Sequence, residues 1–479
     1  MHLRGVISTL GVLVALFGLG MLAPTGVDLY YGTGQALHFV IASVMVMTLG
    51  LVMRRLGGPL DYQLSHKDGF LIVSIAWVLL SILGAVPLWT TGTCHTFWDG
   101  FFESASGLTT TGSTVLSGLD TMPPAVLFWR SMEQFIGGMG IIVLAVAVMP
   151  LLGVGGMQLF KAEVPGPVKD KLTARVAETA KALWYIYFGI NVLCAICLWM
   201  AGMSLFDAIN HAMATVATGG FSTHDASIGY YHSKLIDWTE VIFMFIGSVN
   251  FNLHFAALRR GLSLGAYLRD EEFMAYIKWL LFLLLAIGLV AVPSGASISD
   301  VVFNTVSLVS TTGLVSSDYS LWPPVTGILL IIGMLISGCA GSTSGGGIKV
   351  VRMLLLFRQG KRELRRLIHP HAVIQIKLGL TRIPESVVQA LWGFLALYVV
   401  CFGILVTLVA LTGVDMITSI SSVVTCVTNS GPGFGLVGPS SNFGSLPAAA
   451  KGILAFAMII GRLEIFSFFV LLIPEFWRR

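Results

Sequence analysis

Charge is what this chain has least of. Asp, Glu, Lys and Arg make up 11% of its 479 residues while 56% are hydrophobic, against about 25% charged residues in soluble proteins. That balance excludes a water-soluble globular core. It also excludes a nucleic-acid-binding surface, which needs one basic face with base-reading context. Cysteine is scarce, at six: Cys94, Cys194, Cys197, Cys339, Cys401 and Cys426. Cys194 and Cys197 form a C-x-x-C inside an apolar run with no second pair nearby, so they read as helix packing rather than a zinc or redox site. A phosphate loop is missing as well: Lys349 follows Ile348 and precedes Val350, which breaks the G-x-x-x-x-G-K-[ST] register. The apolar runs hold no nucleophile–base pair and no metal cluster, which argues against an enzyme.

What is present is a succession of apolar runs long enough to cross a bilayer. The first, Val6 to Leu22, has a basic start at His2 and Arg4 but no small-residue cleavage site before the next run, Leu37 to Met53. It reads as a retained helix rather than a signal peptide. Basic residues fall in blocks: Arg54, Arg55 and Lys67; Lys161, Lys169, Lys171, Arg175 and Lys181; Arg259, Arg260, Arg269 and Lys278. The largest runs from Lys349 and Arg352 through Arg358, Lys361, Arg362, Arg365, Arg366 and Lys377 to Arg382, and Arg478 and Arg479 end the chain. The blocks follow every second long apolar segment. By the positive-inside rule they and both termini are expected in the cytoplasm.

The chain then divides into a hairpin, residues 1–60, and four similar units at 68–160, 180–262, 275–368 and 385–479. Each unit begins with a long apolar helix: Phe70–Trp89, Leu183–Met200, Trp279–Val292 and Val388–Leu411. A shorter, more polar segment and a Gly/Thr/Ser-rich stretch follow. A second long helix returns, over Ala125–Leu152, Trp238–Leu258, Pro324–Phe357 and Ala448–Leu472. At about 1.5 Å per residue the short segment covers only part of the roughly 30 Å hydrocarbon layer, so it must turn back. Non-helical backbone at that depth must be buried in protein or line a wet cavity. The expected fold is an all-α polytopic membrane protein with four transmembrane–pore-helix–transmembrane repeats around one central pore, preceded by a two-helix hairpin.

The turning stretches are Leu108-Thr109-Thr110-Thr111-Gly112-Ser113-Thr114, Val216-Ala217-Thr218-Gly219-Gly220-Phe221-Ser222-Thr223, Val309-Ser310-Thr311-Thr312-Gly313-Leu314-Val315-Ser316, and Val427-Thr428-Asn429-Ser430-Gly431-Pro432-Gly433-Phe434-Gly435. Each leads small hydroxyl or amide residues into a glycine, with Gly219 taken as that glycine in the second. An acid stands upstream each time, Asp99, Asp207, Asp300 and Asp415, at 13, 12, 13 and 16 residues. A short helix aims its partially negative C-terminus inward while an Asp suits its outer N-terminus. Extended backbone beyond it can offer carbonyls in place of a cation's hydration shell, and glycine permits the positive φ this needs.

Two further features lie in the returning helices. Ser337-Gly338-Cys339-Ala340-Gly341-Ser342-Thr343-Ser344-Gly345-Gly346-Gly347-Ile348-Lys349 is too rich in glycine for a continuous helix, at about 1 kcal/mol per glycine relative to Ala. It reads as an unwound loop beneath the glycine stretches, able to block or clear a pathway. Gly461-Arg462-Leu463-Glu464 puts charges inside the last apolar run, where they are costly and usually functional. Arg462 reads as a barrier to cations or as a packing ion pair with Glu464 or another repeat. Arg130 and Glu133 read as an interface pair, His211 as a packed helix residue, and His369 and His371 as solvated.

These motifs and the two extra N-terminal helices resemble the TrkH/TrkG family, within the Trk/Ktr/HKT potassium transporter superfamily. The resemblance covers essentially the whole chain and is most specific at Asn429-Ser430-Gly431-Pro432-Gly433-Phe434-Gly435. It implies a potassium filter at Thr110, Thr111 and Gly112; Ala217, Thr218 and Gly219; Thr311, Thr312 and Gly313; and Asn429, Ser430 and Gly431. An intact glycine set goes with potassium in that family, and a serine at the first position with sodium in some plant relatives. It further implies a gate at Gly338, Gly341, Gly345, Gly346 and Gly347 with Arg462. The implied setting is a bacterial inner membrane and a homodimer, with a ring-shaped cytoplasmic nucleotide-binding subunit, TrkA, as regulator. Potassium is then substrate and no covalently bound cofactor is needed. The basic stretch Arg358 to Arg382, next to the loop, is the expected receiver of that subunit. The alternative is a potassium symporter coupled to protons or sodium. Its usual midplane acids in inverted repeats are nearly absent apart from Glu464, and these repeats all run the same way.

Overall fold

The computed structural model describes residues 2–58, 65–143, 169–259, 261, 263–379 and 381–478. Leu152, where the first returning helix was expected to end, and Lys161, Arg260 and Arg479 lie outside them. Six of the described helices are long and apolar enough to cross a membrane: Leu3–Tyr31, Ala36–Gly57, Lys67–Thr90, Glu178–Met200, Glu271–Ala291 and Glu385–Ala410. Counting each of two bent helix pairs as one span gives up to eight. The chain is an all-helical, polytopic membrane protein.

The first two spans form a hairpin that small residues hold close. A Cβ added at Gly11 would meet Gly50 O at 2.6 Å, and one at Gly50 would meet Ala15 Cα at 2.8 Å. Arg54 crosses the contact and donates to Ser8 Oγ at 2.9 Å.

The long helices of the four units are His66–Thr90, Lys169–Met200, Glu271–Ala291 and Glu385–Ala410. Short helices follow at Phe97–Leu108, Leu205–Val216, Ile298–Val309 and Met416–Thr428. The first returning helix begins at Pro124 and is described to Val143. The second and fourth differ from the continuous helices expected, while the third breaks where the glycine-rich stretch was expected to unwind. The second bends by 93° between Lys234–Gly247 and Phe251–Arg259, the fourth by 102° between Ala448–Arg462 and Phe466–Leu472. The third stops at Leu335 and resumes at Val350.

Capture of backbone groups by the intervening loop accounts for the second bend. The last carbonyls of a helix have no intrahelical partner. Here Gly247 O accepts from Thr343 N at 3.2 Å and Ser248 O from Cys339 N at 2.9 Å, so the glycine-rich loop takes the place of a next turn. At the fourth bend Glu464 and Ile465 both adopt positive φ, 54° and 56°. Glu464 is held there by an ion pair with Arg352.

Candidate functional site

The short helices start alike. Thr96, Ser204 and Ser297 are N-caps whose side chains accept from the backbone N–H of Asp99, Asp207 and Asp300, three residues on. In the fourth, Asp415 is itself the cap and accepts from Thr418 N. A carboxylate therefore stands at each N-terminus, where it complements the dipole, and an orphan donor is satisfied by the cap hydroxyl in the first three and by Asp415 itself in the fourth.

They also end alike, and this ending builds the site. Thr110, Thr218, Thr311 and Asn429 adopt the left-handed conformation, with φ of 53°, 52°, 62° and 54°. Their N–H groups donate three residues back, to Gly107, Thr215, Leu308 and Cys426, at 3.0, 3.0, 3.1 and 3.3 Å. The next residues donate five back: Thr111 to Ser106 O, Gly219 to Ala214 O, Thr312 to Ser307 O and Ser430 to Thr425 O, at 2.7–2.9 Å. Those two bonds define a Schellman turn. A left-handed β-branched residue costs on the order of 1–3 kcal/mol and persists only where its surroundings over-determine it. Three occur here in equivalent places.

The turn corrects one register. Ala217, expected as the first member of the second set, is still helical at φ −73°. The equivalent residues are Thr218, Gly219 and Gly220, and Gly220 (φ 79°) matches Gly112, Gly313 and Gly431 at 82°, 84° and 85°. With Gly220 in place, the acid-to-glycine spacing becomes 13 residues in the first three repeats. That regularity was available in the sequence.

The four stretches close into a ring. A Cβ on Gly112 would overlap Gly219 O, and one on Gly220 would overlap Thr312 O. One on Gly313 would lie 2.5 Å from Ser430 O, and one on Gly431 3.0 Å from Thr111 O, which returns to the start. Of the twelve expected residues and Gly220, all are enclosed within the protein except Gly112 and Gly220, which are partly accessible. Hydroxyl pairs brace three of the turns: Thr109 with Thr111, Ser310 with Thr312, and Thr428 with Ser430, at 2.7–2.8 Å. The second repeat has Ala217 and Gly219 at these places. Gln134 of the first returning helix stands in, donating to Gly219 O at 2.6 Å and accepting from Phe221 N at 3.1 Å.

The glycine-rich loop packs against the turn end of this ring. Its ends pair as short parallel strands, Ile336 with Ile348 and Ser337 with Lys349. Gly345 N donates to Thr311 Oγ1 at 2.7 Å and Gly346 N to Asn429 Oδ1 at 2.9 Å. Thr343 Oγ1 donates to Val216 O and Gly247 O, both at 2.9 Å. Gly338 and Gly341 take positive φ, and side chains at Gly345, Gly346 or Gly347 would overlap Asn429, Gly461 or Ser337. Arg462 is buried and donates to Thr343 O at 2.9 Å and Gly137 O at 3.2 Å, so it joins the loop to the first returning helix. It forms no pair with Glu464, whose partner is Arg352.

Known proteins share this arrangement along its whole length. The family model described as TrkH, cation transport protein, matches residues 35–292 and 271–479. This chain belongs to the TrkH family of cation transport proteins. It is 46% identical to the Trk system potassium uptake protein TrkH of Vibrio parahaemolyticus and of Escherichia coli K12, over all of both chains. It is 38% identical to the Escherichia coli potassium uptake protein TrkG, over 100% of this chain and 99% of that one. The crystal structure of the potassium transporter TrkH from Vibrio parahaemolyticus superposes with a TM-score of 0.92 at 43% identity, covering both chains fully. Members of the family are transport proteins rather than enzymes, and the chain is one of them.

Several features of this TrkH-family site were not legible beforehand. Gly137, Gly247 and Gly461 let three returning helices pass directly under the short-helix C-termini: a Cβ there would crowd the carbonyls of Leu108, Val216 and Val427. Arg130 pairs with Glu103 at 2.8 Å, not with Glu133, and donates to Ser222 O at 3.1 Å. Glu133 instead accepts from Ser104 Oγ at 2.6 Å. His211 is packed as expected, between Asp207 O at 2.9 Å and Ser222 Oγ at 3.0 Å. In the loop after the second stretch His224 bonds Asp120 at 2.5 Å. Burial pushes the Asp120 carboxyl up, but that bond and the Asp225 backbone outweigh it and hold it below the usual range.

The brace made by Gln134 gives a direct test. Gln134→Leu removes both bonds to the second stretch and leaves a buried carbonyl and N–H unpaired, at about 1–3 kcal/mol each. We expect a clear drop in the melting temperature of the detergent-solubilised protein. Gln134→Met, which keeps the side chain's length and neither bond, should fall as far. An unchanged transition in Gln134→Leu would show that the brace carries no load.

Proposed function

We propose that this protein takes up potassium across the bacterial inner membrane through one pore on the axis of the four-stretch ring. The observation that carries the reading is the closure of that ring: four Schellman turns deliver four extended glycine stretches, each in contact with the next. In this reading the units at 68–160, 180–262, 275–368 and 385–479 are pore repeats following the hairpin 1–60, and both termini are cytoplasmic. The filter consists of Thr110–Gly112, Thr218–Gly220, Thr311–Gly313 and Asn429–Gly431, whose carbonyls replace potassium's hydration shell. Residues 338–347 are the gate, seated against Thr311 and Asn429 and held from below by Arg462. Potassium follows the membrane potential, which supplies about 2.3 kcal/mol per charge per 100 mV. The close similarity to Trk system potassium uptake proteins over the full length supports this substrate.

A second reading, a symporter coupled to protons or sodium, draws on two buried carboxylates. Glu133 and Glu240 each bond a hydroxyl, of Ser104 and Thr215, at 2.6 and 2.5 Å, and each has one oxygen with no hydrogen-bond partner among the described residues. Both sit behind the short helices, not in the ring, which favours the channel-like reading. Discrete single-channel steps in a bilayer would fit the first reading, and a fixed coupling stoichiometry the second.

Regulation is proposed to come from a cytoplasmic nucleotide-binding subunit resembling TrkA acting on a homodimer of this chain. The receiving surface is the helix Val350–Ile368, which follows the loop directly. Arg362, expected within that surface, is buried and bonded to both carboxylate oxygens of Glu385 at 2.6–2.7 Å. The exposed cations are Lys361 and Arg365, with Arg366 partly so.

Two outcomes check this account. Gly220→Ser and Gly313→Ser should each lower rubidium-over-sodium selectivity at least severalfold in uptake competition, because a Cβ there meets a neighbouring carbonyl. Ala217→Ser should leave selectivity unchanged. Equal selectivity in all three would contradict the filter assignment. Charge reversal at Lys361, Arg365 and Arg366 should cut co-purification of the nucleotide-binding subunit about tenfold and uncouple flux from nucleotide, with membrane insertion intact. Normal binding and response in that variant would place the contact elsewhere.

A further inference from the structure

Lys349 stands out among the charges that the sequence assigned to topology. It lies at the start of the helix Val350–Ile368 and is buried, 5% exposed. An ammonium group has three donors and no acceptor. All three are used on the loop: Ser344 O at 2.7 Å, Ser344 Oγ at 2.8 Å and Gly345 O at 2.6 Å. None goes to a carboxylate. The nearby acids are engaged otherwise, Glu464 by Arg352 and Glu272 by Ala340 N at 2.6 Å.

The position of this contact matters more than its strength. Gly345 and Gly346 are the residues whose N–H groups touch Thr311 and Asn429 of the ring. Lys349 backbone is fixed to the far end of the loop through its pairing with Ser337, and it caps the helix that runs to the exposed basic surface. One side chain thus bridges the part of the loop against the ring and the helix leading away from it. Further ties on the loop, from Arg462, Ser248, Gly247, Val216 and Glu272, come from elements on its flanks. The helix itself reaches the loop otherwise through backbone, with Val350 N donating to Gly338 O at 3.2 Å.

We infer that Lys349 is the latch of the loop: its ammonium holds residues 344–345 against the ring, and displacement of the helix Val350–Ile368 withdraws it. The inference rests on the proposed gating role of residues 338–347. When the ammonium leaves, the carbonyls of Ser344 and Gly345 lose their donors, and the loop is no longer joined to the helix through a side chain. Charge-assisted bonds of this kind are about twice as strong as neutral ones, which suits a contact that must hold until pulled.

The test uses full-length protein in liposomes, read by rubidium flux. Lys349→Met should raise basal flux about tenfold, the order expected for the loss of roughly 1.4 kcal/mol of closed-state stability, with the rubidium-to-sodium ratio unchanged. Lys349→Cys should behave the same way. Alkylation of that thiol with 2-bromoethylamine rebuilds an ammonium at the same reach and should return flux to the wild-type level. 1-Iodopropane, which adds the same length without charge, should not. Wild-type protein treated with either reagent controls for its own six cysteines, five of them buried. If Lys349→Met does not elute as native, Lys349→Gln is read in its place, with the same expectation. Equal rescue by 1-iodopropane, or wild-type flux in the Met, Gln and Cys variants, overturns the latch. Deletion of 338–347 separates the two ideas. Raised flux in the deletion but not in the Lys349 variants leaves the gate and removes the latch, whereas no rise in a natively eluting deletion removes both.

Discussion

The arrangement depends on one local backbone event, the left-handed residue that ends each short helix. Thr110, Thr218, Thr311 and Asn429 turn the chain out of the helix through the same pair of bonds. That turn sends the following glycine into the neighbouring stretch, so the ring is a consequence of four local terminations. The strain of a left-handed threonine is offset by what surrounds it: hydroxyl pairs in three repeats and Gln134 in the other. Glycines beneath the helix ends, at 137, 247 and 461, let the returning helices support the turns at backbone distance.

The same economy of contact governs the loop. Two buried cations, Lys349 and Arg462, donate to carbonyls and a hydroxyl rather than to carboxylates. An ammonium or guanidinium buried against a carboxylate would form a closed, neutral pair. Bound to backbone carbonyls, it instead leaves positive charge next to the ring, where the proposed path of a cation runs. The acids nearby are occupied in holding the frame, with Glu272 on Ala340 N and Glu464 on Arg352. The proposed gate is therefore a loop whose tethers are strong singly and separable, which is what a movable element needs.

Much of this could be read from residues alone, for identifiable reasons. The long and short helices were legible because hydropathy and length are set by the bilayer, and the helix starts because Asp99, Asp207 and Asp300 sit three residues after a hydroxyl cap. The loop was legible because so many glycines cannot sustain a helix. The second stretch was misplaced by one residue because Gly219 and Gly220 are adjacent and composition cannot choose between them. The bends at Ser248–Asn250 and Leu463–Ile465 were missed because neither contains proline. They arise from the tertiary capture of carbonyls and from a distant ion pair. Lys349 was read as a topological charge and Arg362 as part of a receiving surface because their partners, Ser344 with Gly345 and Glu385, are fixed only by folding. Gln134 carried no signal at all.

The central claim is that the ring of four turns and four glycines is where the transported ion is held. Rubidium scatters anomalously and substitutes for potassium, so diffraction from crystals grown in rubidium locates it directly. The account predicts ordered rubidium enclosed by the backbone of Thr110–Gly112, Thr218–Gly220, Thr311–Gly313 and Asn429–Gly431. Rubidium bound instead beside Glu133 or Glu240, with none inside the ring, would contradict it.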